Sequence, residues 1–225
     1  MAQPDAQPCC IELADVEAAA ASKVLPHDKA GDAHHHLISA FIKAMRGTDP
    51  DAAVYYLARL LQAGESPHFL LRRMVIFASE DIGNACPQAL QLAVSALHAF
   101  DLVGLPEGTL PLTQAATYLA LAPKSNSVIV AYGRAQQAVQ EHGALPVPAH
   151  LRPASTRLGR QLGHASGYIY PHDADQHFVA QEHLPEALRD CALYEPSGQG
   201  EEAALGPRLQ AARQARQAAR RGPAT

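Results

Sequence analysis

Apolar positions recur along this chain at the three- and four-residue spacing of helices buried on one side, with Pro, Gly and Asp as punctuation. Leu13 to Val24 forms a short helix with Asp15 and Glu17 early in it and Pro26 as its stop. Asp32 caps the next, Ala33 to about Arg46, whose apolar face is Leu37, Ala40, Phe41 and Ala44 and whose end is Gly47. Asp49 and Pro50 open a third helix with Val54, Leu57, Leu60 and Leu61 inward, closed by Gly64. Ser66-Pro67 begins a fourth, with the stripe Leu70, Leu71, Met74, Val75 and Ala78.

Three more helices follow. One runs from Pro87 to about Val103 through Leu90, Val94 and Leu97. The next starts at Pro106 and carries Leu110, Thr113, Thr117, Tyr118 and Leu121. In the last, Ser125 or Asn126 is the cap and Val128, Tyr132, Ala135 and Val139 the buried face, before Gly143. Short connections imply that sequential helices pack as antiparallel hairpins.

Composition supports an all-α protein: 48% of the 225 residues are hydrophobic, only 5% aromatic, and Trp is absent, a balance suited to closely packed helices. From Leu145 to Pro196 helical periodicity fades, and "GYIYPHD" alternates like a short β-ribbon or extended segment. The end, "LGPRLQAARQARQAARRGPAT", reads as a helix without an apolar stripe, frayed or docked on a partner. The expected organisation is therefore a disordered start (1–10), a helix (11–26), a helical array (27–144), an irregular cover (145–200) and an Arg-, Ala- and Gln-rich tail (201–225).

A net charge of −4 gives no global case for nucleic-acid binding. The local candidates for DNA contact are Arg213, Arg216 and Arg220, on one helical face, with Arg221 beside them; a solvated face is the commoner outcome of such a run. Cys9, Cys10, Cys86 and Cys191 include no C-x-x-C pair, so neither a disulfide framework nor a zinc site is expected, and a reducing cytoplasm is the simple inference. The first residues lack the basic start and apolar run of a secretory signal, and no segment suits a membrane span.

Candidate chemistry is sparse. His34, His35 and His36 point about 100° apart on a helix and cannot converge on one ion. "HDADQH" gathers His172, Asp173, Asp175 and His177, where a hydrogen-bonded turn is favoured over a metal site. "FASEDIGN" puts Glu80 and Asp81 in the last turn of a helix, where each opposes the macrodipole by about 0.3–1 kcal/mol. Adjacent helical residues diverge, so a salt bridge or cap is expected there rather than an acid/base pair, with Arg72, Arg73, Arg152 or Lys124 as partner. Neither G-x-x-x-x-G-K-[ST] nor G-x-G-x-x-G occurs, so the chain is not expected to hydrolyse ATP alone or to hold a cofactor.

The segments "DKAGDAHHHLISAFIKAMRGTDPDAAVYYLARLLQAGESP", "RMVIFASEDIGNACPQALQLAV", "PEGTLPLTQAATYLALAPKSNSV", "PVPAHLRPASTRL", "GYIYPHD" and "YEPSGQG" together resemble the C-terminal half of the RarA/MgsA family of AAA+ ATPases, the bacterial replication-associated recombination proteins. The resemblance covers roughly Ile11 to Gly200. It implies that 11–26 is the last helix of an AAA+ lid, and that 27–144 is a collar like that of clamp loaders, assembling a homotetramer. Positions matching the family's motifs, with structural or interface roles implied, are Asp32, His34, Arg46, Asp49, Ser79, Glu80, Asp81 and Glu107. Lys124, Ser125, Asn126, Arg152, Tyr168, His172 and Asp173 complete the set. The family's Walker residues have no counterparts here. The implied function is thus a non-catalytic tetramerisation module acting at stalled forks, in recombination and in repair. An AAA+ module in cis or trans, single-stranded-DNA-binding protein and DNA are the implied partners. The alternatives are a DNA-binding accessory protein using the Arg-rich tail with Lys124, Arg157 and Arg160, and, last, a metal-dependent hydrolase built on the His/Asp loop.

Overall fold

A computed structural model describes residue 13 and residues 32–221 of the chain. Among them are eight α-helices and no strand: α1 (Asp32–Arg46), α2 (Pro50–Gln62), α3 (Pro67–Phe77), α4 (Gln88–Val103), α5 (Thr109–Leu121), α6 (Ser127–His142), α7 (Arg157–Gln161) and α8 (Leu205–Arg221). The all-α expectation holds. The helix expected over Leu13 to Val24 lies, apart from Leu13, outside the described residues.

Local chemistry sets the first boundaries. Asp49 accepts a hydrogen bond from the Ala52 backbone N–H at 2.9 Å, and Pro50 follows at the first helical position of α2. Such a cap contributes about 1 kcal/mol. Proline likewise opens α3, although Ser66 makes no side-chain cap there. Phe41, Leu57, Leu60, Leu70, Leu71 and Met74 are fully buried, as the stripes of these helices predict, and Phe77, outside the expected stripe, is buried with them. Each such side chain contributes about 1.5–3 kcal/mol relative to exposure.

The stripes expected for α4 to α6 are not the ones buried. On α4 the core side is Ala89, Ala93, Ala96 and Phe100, while Leu90 is exposed. On α5 it is Leu112, Ala115, Ala116, Leu119 and Ala120, leaving Leu110 and Leu121 at the surface. The reason is topological: α5 packs against α1, α2, α3 and α4, so it is covered on several sides and has no single apolar stripe. Where α4 meets α5, alanines on both helices let the backbones approach closely.

α2 packs chiefly on α1 and on the central α5, so the hairpin rule holds for α1–α2, α3–α4 and α4–α5 but not for every neighbour. α6 rests on the array through the turns that follow α3, and only Ser127 and Ala138 of that helix are buried. Residues 143–204 are coil interrupted by 3-10 turns and α7; in "GYIYPHD" a turn at Gly167 leads through irregular chain, with Tyr170 extended, into a 3-10 turn over Pro171–Asp173, so the segment is not a ribbon. No helix among the described residues is long and apolar enough to cross a membrane.

Candidate functional site

The chain after α3 does not simply stop. Ala78–Ile82 continues as one π-helical turn, in which the Gly83 N–H bonds back to the Ala78 carbonyl, and a 3-10 turn over Gly83–Ala85 leads towards α4. This turn carries Ser79, Glu80 and Asp81. Asp81 accepts two hydrogen bonds from Arg46 at the end of α1, from Nε at 2.5 Å and from Nη2 at 3.0 Å. Its backbone carbonyl accepts the Ser125 N–H at 2.8 Å. One residue therefore joins α1, the π turn and the approach to α6.

The partner of Asp81 is Arg46, 35 residues away, rather than Arg72, Arg73, Arg152 or Lys124. The hydrogen bond to Asp81 raises the Arg46 pKa against the opposing effect of burial. Lys124 instead donates to the Ala120 and Ala122 carbonyls at 2.8 and 2.6 Å, satisfying the C-terminal end of α5. Burial pushes its ammonium down, with the Asp81 charge acting the other way. Because the Arg46 side chain is half exposed, the pair is worth a modest amount. An Arg46→Ala/Asp81→Ala double-mutant cycle is expected to give a coupling of about 1 kcal/mol by urea unfolding, and Arg46→Lys to lose part of it because the planar fork is gone. A coupling indistinguishable from zero would remove Asp81 as an interhelical tie.

Beside this tie lies a buried carboxylate that sequence reading missed. Glu202, in the 3-10 turn Gly200–Ala204, is fully buried. Its Oε2 accepts hydroxyl hydrogen bonds from Ser125 at 2.5 Å and Ser197 at 2.6 Å; its Oε1 accepts those of Ser127 and, at 2.6 Å, Tyr194. Burial works to raise the carboxyl, but the four hydroxyl donors outweigh it and bring its pKa down to about 2. Asn84 Nδ2 donates to the Tyr194 hydroxyl at 3.1 Å, and Arg134 of α6 donates to the Ala192 carbonyl and to Glu195. "YEPSGQGEE" is thus a strap, clasped to the array at the Asp81 turn. A carboxylate in such a polar run reads as solvated; only its distant hydroxyl partners make it a core residue.

The remaining expected residues scatter. His34, near the start of α1, pairs with Glu65 at 3.0 Å. Asn126 immediately precedes α6 without a side-chain cap bond, and Glu107 is exposed between α4 and α5. Arg152 Nε donates to the Val147 carbonyl at 2.6 Å. Tyr168, His172 and Asp173 are exposed, with the His172 and His177 rings 4.8 Å apart. Among the described residues no group of three or more His, Cys, Asp or Glu side chains is arranged to hold a metal ion.

The Arg-rich end is docked on its own chain. Arg213 Nη2 donates to the Tyr194 carbonyl at 2.7 Å, and Arg220 reaches Glu182, Asp190 and the Arg189 carbonyl. Arg216 lies between them on α8, and Arg221 ends the helix.

The clasp ties the strap, the Asp81 turn and the start of α6 together, and what it closes is an all-α helical domain. Comparison with known proteins gives that class a name: residues 1–46 match the model of the AAA C-terminal domain. Residues 47–213 match that of the MgsA AAA+ ATPase C terminal, and the chain belongs to this family. Replication-associated recombination protein A of Coxiella burnetii is 45% identical over 184 residues, 81% of this chain and 42% of that protein. Its Escherichia coli K12 counterpart is 41% identical over 183 residues, 81% of this chain and 41% of that protein. ATPase WRNIP1 of Dictyostelium discoideum is 43% identical over 172 residues, 76% of this chain and 20% of that protein. The chain spans less than half the length of these relatives.

Proposed function

We propose that this domain is a non-catalytic oligomerisation module, assembling a tetramer for a RarA/MgsA-type ATPase that works in replication-associated recombination and repair. The observation that carries the reading is an apolar surface left exposed among the described residues. Val128, Tyr132 and Val139 share one stripe of α6 and are 39%, 66% and 64% exposed, while Leu102 and Leu110, around the α4–α5 connection, are 88% and 70% exposed. These include positions whose pattern marks a buried face, and a surface of this kind on a single chain suits subunit association. Nucleotide hydrolysis would come from an AAA+ module in cis or trans, since these residues contain no phosphate-cradling loop.

The DNA-accessory reading is weaker because Arg213 and Arg220 are already tied to the 182–194 segment. Light scattering tests the first reading, and a DNA-binding titration the second. The chain is expected to run as a tetramer, and Tyr132→Asp with Val139→Asp to run as a folded monomer with unchanged helical circular dichroism. A wild-type monomer across micromolar concentrations would overturn the proposal. Steeply salt-dependent DNA binding that vanishes on removing residues 208–225 would favour the alternative.

A further inference from the structure

Between the 182–194 segment and α8 lies a cavity of about 480 Å³, whose lining includes Arg189, Arg213, Arg216 and Arg220 against the carboxylates of Glu182 and Asp190. Leu184, Leu193 and Leu209 supply apolar wall. Three of the guanidiniums are engaged to different degrees. Arg220 answers both carboxylates, with Nε 2.7 Å from Glu182 and Nη1 2.5 Å from Asp190. Arg189 pairs with Glu186. Arg213 gives one Nη2 hydrogen bond to the Tyr194 carbonyl and keeps its other donors.

Arg216 is different. Its Nε is sealed from water without an acceptor, while its charge helps Arg220 hold the Glu182 carboxyl below its ordinary range. A guanidinium nitrogen sealed from solvent without an acceptor is costly, and Arg216 sits three residues from the partly free Arg213 on the same helical face. Glu182 and Asp190 are hydrogen-bonded by Arg220, which leaves the cavity lined as well by the unspent donors of Arg213 and Arg216 from successive turns.

We propose that this cavity binds a small phosphate monoester, its dianionic head between Arg213 and Arg216 and its body against the leucine wall. One guanidinium fork satisfies a carboxylate, whereas a phosphate offers three oxygens to donors arriving from two directions. Glu182 and Asp190 disfavour an extended polyanion running through the same space, so the phosphate is one on a small molecule or at the end of a nucleic-acid strand. This site goes beyond oligomerisation and does not depend on it.

The test uses the full chain and phenyl phosphate, followed by calorimetric titration. Saturable one-to-one binding is expected, weakened at least about tenfold in Arg216→Gln and less in Arg216→Lys, with the exposed, remote Arg72→Gln unchanged. Should Arg216→Gln fail to fold by circular dichroism, Arg216→Lys carries the comparison. Benzoate is expected to bind more weakly than phenyl phosphate. Displacement of phenyl phosphate by a 5′-phosphorylated oligonucleotide, and not by its 5′-hydroxyl twin, would identify a strand end as the source; displacement by neither would identify a free ester. The proposal is overturned by absence of saturable binding, by equal affinity in both Arg216 variants and wild type, by benzoate binding as tightly, or by equal displacement with the 5′-hydroxyl strand.

Discussion

Replacing Glu202 with alanine is expected to lower stability by about 3 kcal/mol and to release α8 from the array. The side chain is fully buried and accepts four hydroxyl hydrogen bonds, so its removal leaves Ser125, Ser127, Tyr194 and Ser197 without their common acceptor. The urea midpoint should fall, and amide exchange over 205–221 should rise more than over α1 to α5. The same clasp predicts a pH dependence. Glu202 titrates at about 2 when folded against an ordinary 4.5, so the folded state prefers the charged form. Its contribution, about 3 kcal/mol, is complete above pH 4.5 and fades as pH falls through that value towards 2. Glu202→Gln should flatten this part of the profile. If the variant and the wild type lost stability in parallel across the window, Glu202 would not be the responsible group.

Gly200→Ala should have an effect of similar size, about 3 kcal/mol, for a steric reason. Gly200 has φ +51°, and a Cβ there would run into the Ala85 backbone carbonyl and come within 2.8 Å of the Pro123 ring. Neither obstacle is the end of a flexible side chain, so the strap itself would have to lift. A distinctive corollary is non-additivity: once either substitution has freed the strap, the Gly200→Ala/Glu202→Ala double variant should be only slightly less stable than the worse single one. Strict additivity in urea unfolding would mean that the two residues do not secure the same structure.

Helices α1 to α3 were legible in the sequence because Phe41, Leu57, Leu60, Leu70, Leu71 and Met74 form stripes of large side chains and do face the core. In α4 and α5 the same rule picks the wrong side. There alanine is the packing residue, since the central α5 is approached by four neighbours, and the larger Leu90, Leu110 and Leu121 are left outward. Periodicity ranks residues by size and polarity; it does not register how many helices surround one. The Asp81 turn was visible as an oddity, two acids at a helix end, but its partner was not: Arg46 is 35 positions earlier, and nothing local distinguishes it from Arg72 or Arg73. Glu202 was beyond reach for the same reason, with two of its serines more than 70 positions away.

The π turn at Ala78–Ile82 makes the length of this segment matter as much as its composition. Its wider ring holds one more residue than an ordinary helical turn, and that extra step sets the azimuth at which Asp81 leaves the backbone. Deleting one residue between 78 and 80 would remove the residue that the wider ring accommodates and change the position from which Asp81 reaches Arg46. The acidic group would leave Arg46, and its carbonyl would leave Ser125 in the same motion. Single-residue deletions here should therefore be tolerated far less well than substitutions at exposed Ser79, an asymmetry that a saturation library of insertions, deletions and point changes would read out directly.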